Sequence, residues 1–208
     1  YQPSRGLGDV YKRQLFGESH GKCVGALVEG VPAGTPLDTE ILLRDLLRRK
    51  PGRKGLSQRS EPDACDILSG VYEGKATGWP ILMLTMNSDA KSRDYSFLPD
   101  HPRPGHADLV ESVRSDGTAD LRGGGSQSAR LTFGLVAAGS QARTLLDNVG
   151  WSCDAHLHSV GEVKSRPLFE LDRKTPLDPT SDSGRLNCRD AEAAESMSNE
   201  IELSLIHI

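Results

Sequence analysis

Residues 122–139 read RGGGSQSARLTFGLVAAG, three glycines that lead directly into a run with helical spacing. The small and apolar residues of this run predict a tightly packed interior helix over Ser128–Leu146. Backbone N–H groups at the start of such a helix can bind an anion, helped by the helix dipole. Ser126 and Ser128 add hydroxyl groups, and Arg130 adds a bidentate phosphate donor. The stretch therefore predicts an anion site at a helix start, with a flexible glycine hinge as the alternative.

Patterns in the rest of the chain predict the fold class. Leucines at three- and four-residue spacing after Asp38 predict a helix capped by this residue. Residues 87–120 show no sustained period and predict a long loop with short ordered pieces. Helices mixed with antiparallel strands predict an α+β fold, a layered sandwich of antiparallel sheets and helices. The other predicted elements are the strands Cys23–Glu29, Asp66–Glu73, Ile81–Met86 and Ala155–Val160 and a helix over Ala191–Ile201.

Composition narrows the possible function classes. Of 208 residues 26% are charged, and the net charge of −4 disfavours a general binder of nucleic acid or anionic membranes. No apolar run approaches the ~20 residues of a membrane span, and no secretory signal is recognisable. A cytoplasmic protein with reduced cysteines is expected, with disulfides as the alternative. The cysteines are Cys23, Cys65, Cys153 and Cys188.

The two ends differ in character from the residues between them. Tyr1–Gln14 (YQPSRGLGDVYKRQ) and Leu203–Ile208 (LSLIHI) resemble translated sequencing-adapter sequence, which predicts that both are non-native tails. An ordinary polar tail and a short apolar strand are the alternative interpretation. On the first interpretation, residues 15–202 form a single partial domain that begins and ends inside a longer gene.

Two short motifs place a histidine among small residues. Gly17–Gly21 reads GESHG and precedes a predicted strand, so His20 can present a near-neutral imidazole to a ligand. Arg103–Asp108 reads RPGHAD and combines a cation, a proton donor at His106 and an acceptor. A histidine bonded within its turn and a solvated loop are the respective alternatives.

A cluster of basic residues lies between positions 44 and 59 of a chain with negative net charge. A solvated helix face accounts for its first members but less well for those around the Pro51–Gly52 turn. A phosphorylated or polycarboxylate ligand is the natural partner, and nucleic acid is the alternative, although no interleaved aromatic residues offer base stacking. The cluster consists of Arg44, Arg48, Arg49, Lys50, Arg53, Lys54 and Arg59.

His156 and His158 share one face of a predicted strand at two-residue spacing. Such a pair can bind a metal ion, but no third ligand stands at a recognisable spacing. We therefore predict no metal site.

Several segments in order resemble the chorismate synthase family between about Leu15 and Glu202. Each motif alone is only indicative, whereas their common order over most of the chain is highly specific. The helix from Asp190 (DAEAAESMSNEIE) also fits. The matching segments are Gly17–Pro32 (GESHGKCVGALVEGVP), Arg48–Asp63 (RRKPGRKGLSQRSEPD), Ile67–Gly74 (ILSGVYEG), Arg103–Asp108 (RPGHAD) and Arg122–Gly139 (RGGGSQSARLTFGLVAAG).

The resemblance implies a lyase of the shikimate pathway, which leads to the aromatic amino acids. The family eliminates phosphate from 5-enolpyruvylshikimate 3-phosphate in an anti-1,4 sense to give chorismate, and it requires reduced FMN in a redox-neutral reaction. It also implies a homotetramer with no nucleic-acid or membrane partner, and leaves NADPH open as the source of electrons for the flavin. The family chain is much longer, so we expect the C-terminal half of the fold to be missing and this chain to be inactive alone.

The family's site residues map onto this sequence by motif. His20 and His106 resemble the two acidic histidines, the first assisting the departing phosphate and the second protonating the flavin near N1. We expect both histidines to reach one cavity. The residues that resemble the substrate's phosphate and carboxylate contacts are Ser19, Arg49, Lys54 (or Arg53), Arg103 and Arg130. Those that correspond to the flavin-contacting stretch are Ser126, Gln127 and Ser128.

The sequence departs from the family pattern at two places. Ser126 and Gln127 stand where the family usually has Arg and then Ser, which removes a cationic flavin contact. Residues 114–117 (RSDG) replace the usual Lys-Tyr-Gly. Two other functions stay open, a non-catalytic phosphate- or nucleotide-binding module and an RNA-binding fragment that uses residues 44–59. A binding module has no need for two separate histidine motifs.

Overall fold

The computed structural model describes residues 12–50, 63–88 and 92–206. The described residues up to Trp151 form one compact unit, and those from Ser152 onward form another. Both units combine helices with antiparallel strands, so the predicted α+β class is confirmed.

The first unit is built on an antiparallel sheet with the strand order β1-β2-β6-β3. A small hairpin of β4 and β5 follows β3 along the chain. The strands of this unit are β1 (Lys12–Gly17), β2 (Cys23–Glu29), β3 (Asp66–Ser69), β4 (Val71–Tyr72), β5 (Lys75–Ala76) and β6 (Ile81–Met86). Its helices are α1 (Thr39–Arg49), α2 (Asp108–Arg114) and α3 (Thr132–Asp147), with short 3-10 turns at Ser92–Tyr95, Arg122–Gln127 and Ala129–Leu131.

The core of the first unit lies between the sheet and the helices α1 and α3. Alternate residues of β2 and β6 point into it, and the register pairs Ala26 with Met83 and Val28 with Ile81 on the same face. Asp38 caps α1 as predicted, because its carboxylate accepts the N–H of Ile41 at 2.9 Å. The apolar residues of the core are Val24, Ala26, Val28, Val31, Leu42, Leu46, Ala76, Ile81, Met83, Leu131, Phe133, Ala137 and Ala138.

Helix α3 is the tightly packed interior helix that its small residues predict. It begins at Thr132, after the 3-10 turn, rather than at Ser128. Gly134 faces β2 so closely that an added Cβ would lie 2.5 Å from the carbonyl oxygen of Gly25. A glycine at this position therefore lets the helix approach the backbone of the sheet.

The segment predicted to be a long loop with short ordered pieces contains such pieces, and one of them is a helix that its pattern does not reveal. Asp108 and Glu111 are the buried residues of α2, while Leu109, Val110 and Val113 are exposed. The apolar residues of this helix thus face outward, which is why hydrophobic periodicity does not reveal it.

In the second unit the longer of two helices packs against a hairpin and against the shorter helix. Its core is formed by Cys188, Ala193, Ala194 and Met197 with partly buried apolar neighbours. Strand occurs only at the end of the predicted Ala155–Val160 strand. The elements are β7 (Ser159–Val160), β8 (Val163–Lys164), α4 (Asp182–Leu186) and α5 (Ala191–Ile206), with a 3-10 turn at Leu168–Glu170.

Both regions set aside as tails contain described structure. β1 begins at Lys12 and pairs with β2 from that residue on, and α5 continues past Ile201 to Ile206. The assignment of 1–14 and 203–208 as non-native stays a prediction, as does the single domain over 15–202.

Candidate functional site

His20 follows β1 in a turn, and three groups surround its imidazole. Nδ1 lies 3.1 Å from the hydroxyl oxygen of Ser92. The ring of Tyr95 meets the imidazole edge-on, with centroids 5.0 Å apart and planes at 85°. The opposite side of the ring, at Cδ2 and Nε2, faces Gly123. His20 is therefore contacted by two separate stretches of the chain, the 3-10 turn Ser92–Tyr95 and the glycine run.

The glycine run lies directly against the Ser19–His20 turn. Gly123 has φ +60°, and an added Cβ would lie 2.6 Å from His20 Cδ2 and Nε2 and 2.8 Å from Ser19 Oγ. The buried Ser19 donates its backbone N–H to the carbonyl of Gly125 at 3.0 Å. Two of the motifs that the sequence analysis singled out are thus brought together, and glycine is required at their point of contact.

Replacing Gly123 with alanine is expected to destabilise the chain more than replacing Gly117. Both glycines have positive φ, which costs another residue about 1–2 kcal/mol. Gly117 has open space around it, whereas a side chain at Gly123 collides with His20 and adds about 1–3 kcal/mol of overpacking. Urea unfolding of the two variants measures the difference. Equal losses would show that the glycine run does not touch His20.

Tyr95 connects the GESHG turn to the RPGHAD motif. While its ring contacts His20, the guanidinium carbon of Arg103 lies 5.3 Å from the ring centroid, in a cation–π arrangement. Tyr95 belongs to the 3-10 turn Ser92–Tyr95, inside the segment predicted to be loop. The turn thus places the imidazole of His20 and the cation of Arg103 around one aromatic ring.

Arg103 is oriented by a bidentate ion pair with Asp108. Its Nε and Nη2 each donate to the carboxylate at 2.8 Å, and its backbone N–H donates at 3.0 Å. These hydrogen bonds hold the pKa of the buried Asp108 below its usual value and raise the pKa of Arg103. His106 lies on the exposed loop between them, where its backbone N–H donates to the Arg103 carbonyl at 3.3 Å.

Two of the predicted anion-binding arginines share one buried carboxylate. Arg49 and Arg130 both form ion pairs with Asp63, and the side chains of Arg130 and Asp63 are 4% and 3% exposed. Within the part of the chain that the structure describes, these two guanidinium groups meet the same carboxylate in a largely buried place. Among the described residues, the buried Nε of Arg49 meets no hydrogen-bond acceptor. This arrangement suits a further anion.

Asn87 joins this cluster to the histidine turn. Its side-chain oxygen accepts from Nε of Arg130 at 3.0 Å. Its amide nitrogen donates to the carbonyls of Glu18 at 3.0 Å and Gly21 at 2.9 Å. The turn that carries His20 and the buried Arg130 are therefore positioned by one side chain at the end of β6.

The three residues predicted to contact the flavin have different surroundings. Ser126 and Gln127 are exposed, whereas the Ser128 hydroxyl accepts the N–H of Arg130 at 3.3 Å and caps the 3-10 turn. The amide of Gln127 donates to Glu111 at 3.1 Å, and Glu111 also pairs with Arg114. Gln127 and Arg114, one residue from each departure from the family pattern, thus contact the same carboxylate, that of Glu111.

The remaining candidate residues are Lys54 or Arg53 and the pair His156 and His158. Lys54 and Arg53 fall within residues 51–62, outside the described residues. In the second unit the Ser165 hydroxyl contacts both His156 and His158, and His156 Nδ1 accepts the N–H of Arg189. Over residues 12–50, 63–88 and 92–206 no three His, Cys, Asp or Glu side chains are grouped as a metal site. Nor is any helix of this part long and apolar enough to cross a membrane.

Four residues around the site were missed from the sequence, namely Asp63, Asn87, Ser92 and Tyr95. Asp63 ends the segment 48–63, in which Glu61 and Asp63 are the two acidic residues that follow a run of cations, and this was a usable signal. Asn87, Ser92 and Tyr95 lie in a segment without pattern, and only their contacts reveal them.

Comparisons with known proteins identify relatives of the chain. A family model described as chorismate synthase matches residues 11–204. The chorismate synthase of Methanococcoides burtonii is 42% identical over 200 residues, which are 96% of this chain and 53% of the relative. That of Aeropyrum pernix is 44% identical over 94% of this chain and 51% of its own length. A crystal structure of chorismate synthase matches with a TM-score of 0.64 and 26% identity, covering 95% of this chain and 53% of that one. The chain thus spans about half the length of these relatives.

Proposed function

Since the chain belongs to the chorismate synthase family, we propose that it forms about half of an enzyme that eliminates phosphate from 5-enolpyruvylshikimate 3-phosphate. A C–O bond to phosphate and a C–H bond break in an anti-1,4 sense, one further C=C bond forms, and the products are chorismate, phosphate and a proton. The observation that carries the proposal is the meeting of three motifs, in which Gly123 and Tyr95 both contact His20 while Tyr95 also contacts Arg103.

The anionic substrate is bound by the arginines of the first unit. Arg49 and Arg130 both pair with Asp63, and the buried Nε of Arg49, which meets no acceptor among the described residues, offers a donor to a phosphate or carboxylate group. Arg103 adds a third guanidinium group beside Tyr95, and its hydrogen bonds to Asp108 raise its pKa. Ser19 contributes a hydroxyl group next to His20, and Lys54 a further cation.

His20 donates a proton to the departing phosphate. Its Nε2 faces the glycine run, so a phosphate bound over that run meets the nitrogen that can carry the proton. Charge that develops on the leaving oxygen is reduced by this proton and by the neighbouring arginines. His106, on its exposed loop, is the residue that would supply a proton near N1 of the flavin.

The turn around Gly123–Gly125 offers a close backbone and polar groups, which are suited to binding a flavin. All three glycines have positive φ, and the exposed hydroxyl and amide groups of Ser126 and Gln127 suit the carbonyl and N–H edge of the ring. Ser128 holds the turn in shape through its cap to Arg130. Reduced FMN, when bound, supplies electron density to a reaction that is redox-neutral overall, and NADPH is a candidate source of its electrons.

The complete protein is proposed to be a cytoplasmic homotetramer that binds neither nucleic acid nor membranes. This chain alone is proposed to be inactive, because the chain covers only about half of each relative's length and the other half contributes to the flavin and phosphate sites. Removal of one positioned acid–base group already costs about 10²–10⁴-fold in rate.

A chimera tests the proposed function. Residues 11–204 replace the matching part of the Methanococcoides burtonii relative, and phosphate release is measured anaerobically with reduced FMN. We expect chorismate formation by the chimera and none by the 208-residue chain alone. A chimera that binds the substrate without releasing phosphate would support the non-catalytic binding module instead. Turnover by the chain alone would contradict its proposed inactivity.

A further inference from the structure

The 3-10 turn Ser92–Tyr95 touches two predicted site residues without being one of the motifs itself. Ser92 contacts Nδ1 of His20, and Tyr95 contacts the ring of His20 and the guanidinium group of Arg103. These partners lie at least eight positions away along the chain, so the turn is a shared support for two motifs.

The hydroxyl of Ser92 can keep its hydrogen bond to a histidine that changes its protonation state. A serine hydroxyl can donate a hydrogen bond to an unprotonated Nδ1 or accept one from Nδ1–H. The same contact at 3.1 Å therefore serves the neutral ring and the imidazolium without movement of the ring. A proton can then leave and return at Nε2, on the side of Gly123, while Nδ1 stays held.

Tyr95 restrains the same ring sterically. An edge-to-face contact at 5.0 Å and 85° opposes rotation of the imidazole about its bond to Cβ. Two ion pairs lie near this arrangement among the described residues. Arg103 lies over the ring of Tyr95 and is paired with Asp108. Asp120 interacts electrostatically with His20 and is paired with Arg122.

We propose that Ser92 and Tyr95 are positioning residues that hold His20 with Nε2 directed to the glycine run in both of its protonation states. The catalytic consequence rests on the proposed function, whereas the orientation of the ring does not. Ser92 acts through the hydrogen bond to Nδ1, and Tyr95 acts through the aromatic contact.

The test is NMR of the 208-residue chain labelled with ¹³C and ¹⁵N at its histidine rings, recorded in acidic and in mildly alkaline buffer, where an imidazole is charged and neutral. His20→Gln assigns the signals of His20. In the parent chain we expect an NOE between the Hδ2 proton of His20 and the Hα protons of Gly123 under both conditions, since Cδ2 and Nε2 face this glycine. In Ser92→Ala this NOE is expected to weaken because the ring can turn, and Ser92→Thr restores it because it keeps the hydroxyl.

Two further variants make the result decisive. Tyr95→Leu is expected to weaken the same NOE, whereas Tyr95→Phe keeps the ring and leaves it unchanged. Ser96→Ala, at an exposed position one residue beyond the turn, is the matched control. If the His20–Gly123 NOE of Ser92→Ala and of Tyr95→Leu equals that of the control, the proposal is wrong. Because no activity is measured, an inactive chimera with the expected NOEs would overturn the proposed function alone.

Discussion

Alanine in place of His20 is expected to lower the kcat of the chimera by about 10²–10⁴-fold, the usual cost of losing a positioned acid–base group. The imidazole is the proton donor to the departing phosphate, and its Nε2 faces the glycine run. Phosphate release under anaerobic conditions with reduced FMN measures the effect. KM should change much less than kcat, because the substrate's charges are bound by arginines rather than by this ring.

His101→Ala is the control for the loss of a histidine. His101 is exposed and lies in the segment between the Ser92–Tyr95 turn and the RPGHAD motif. Its replacement should leave kcat unchanged. A His20→Ala chimera with the kcat of this control would show that His20 is a turn histidine without a role in catalysis, which was the alternative interpretation of the GESHG motif.

Asparagine in place of Asp63 is expected to lower the free energy of unfolding of the chain by about 3–5 kcal/mol, the cost of removing one partner from a buried ion pair. Asp63 is the shared partner of Arg49 and Arg130, and without its charge two buried guanidinium groups repel each other. Asparagine keeps the size of the side chain and tolerates the left-handed backbone of this residue, with φ 51°. The loss therefore reports charge rather than shape. Urea unfolding at neutral pH measures it.

An exposed ion pair provides the comparison. Asp154 pairs with Arg173 at 3.3 Å, with side chains 32% and 52% exposed. Asp154→Asn is expected to cost about 0–1 kcal/mol, since water screens such pairs. If Asp63→Asn lowers the free energy of unfolding no more than this control does, the ion pairs of Asp63 with Arg49 and Arg130 do not stabilise the fold.

Local sequence patterns predicted much of the fold correctly. Strand β2 and the helix capped by Asp38 follow from residues within one turn or one strand of each other, and the structure confirms both. Helix α2 was missed because its charged residues Asp108 and Glu111 face inward, which inverts the expected pattern. In that helix, ion pairs rather than apolar burial decide which side is covered.

The motifs of the candidate site were predicted from the sequence, but the contacts that join the motifs were not. His20, Arg103 and Arg130 were identified from short segments, and their roles remain predictions. The convergence of His20 with His106 on one cavity is also still a prediction, although Tyr95 brings the two motifs together. The supporting residues carry no local signal, because a serine or an asparagine in a loop is ordinary.

The family and the class of fold were recognisable from the amino-acid sequence alone. So were the elements with local hydrogen bonds, because helix caps and periodic apolar faces involve residues close together in the chain. Which side chains surround His20 and Arg130 became visible in the folded structure. Ser92 is 72 positions from His20, and Asp63 is 67 positions from Arg130. Contacts over such distances depend on how the sheet and its loops fold together, and no spacing along the chain encodes them.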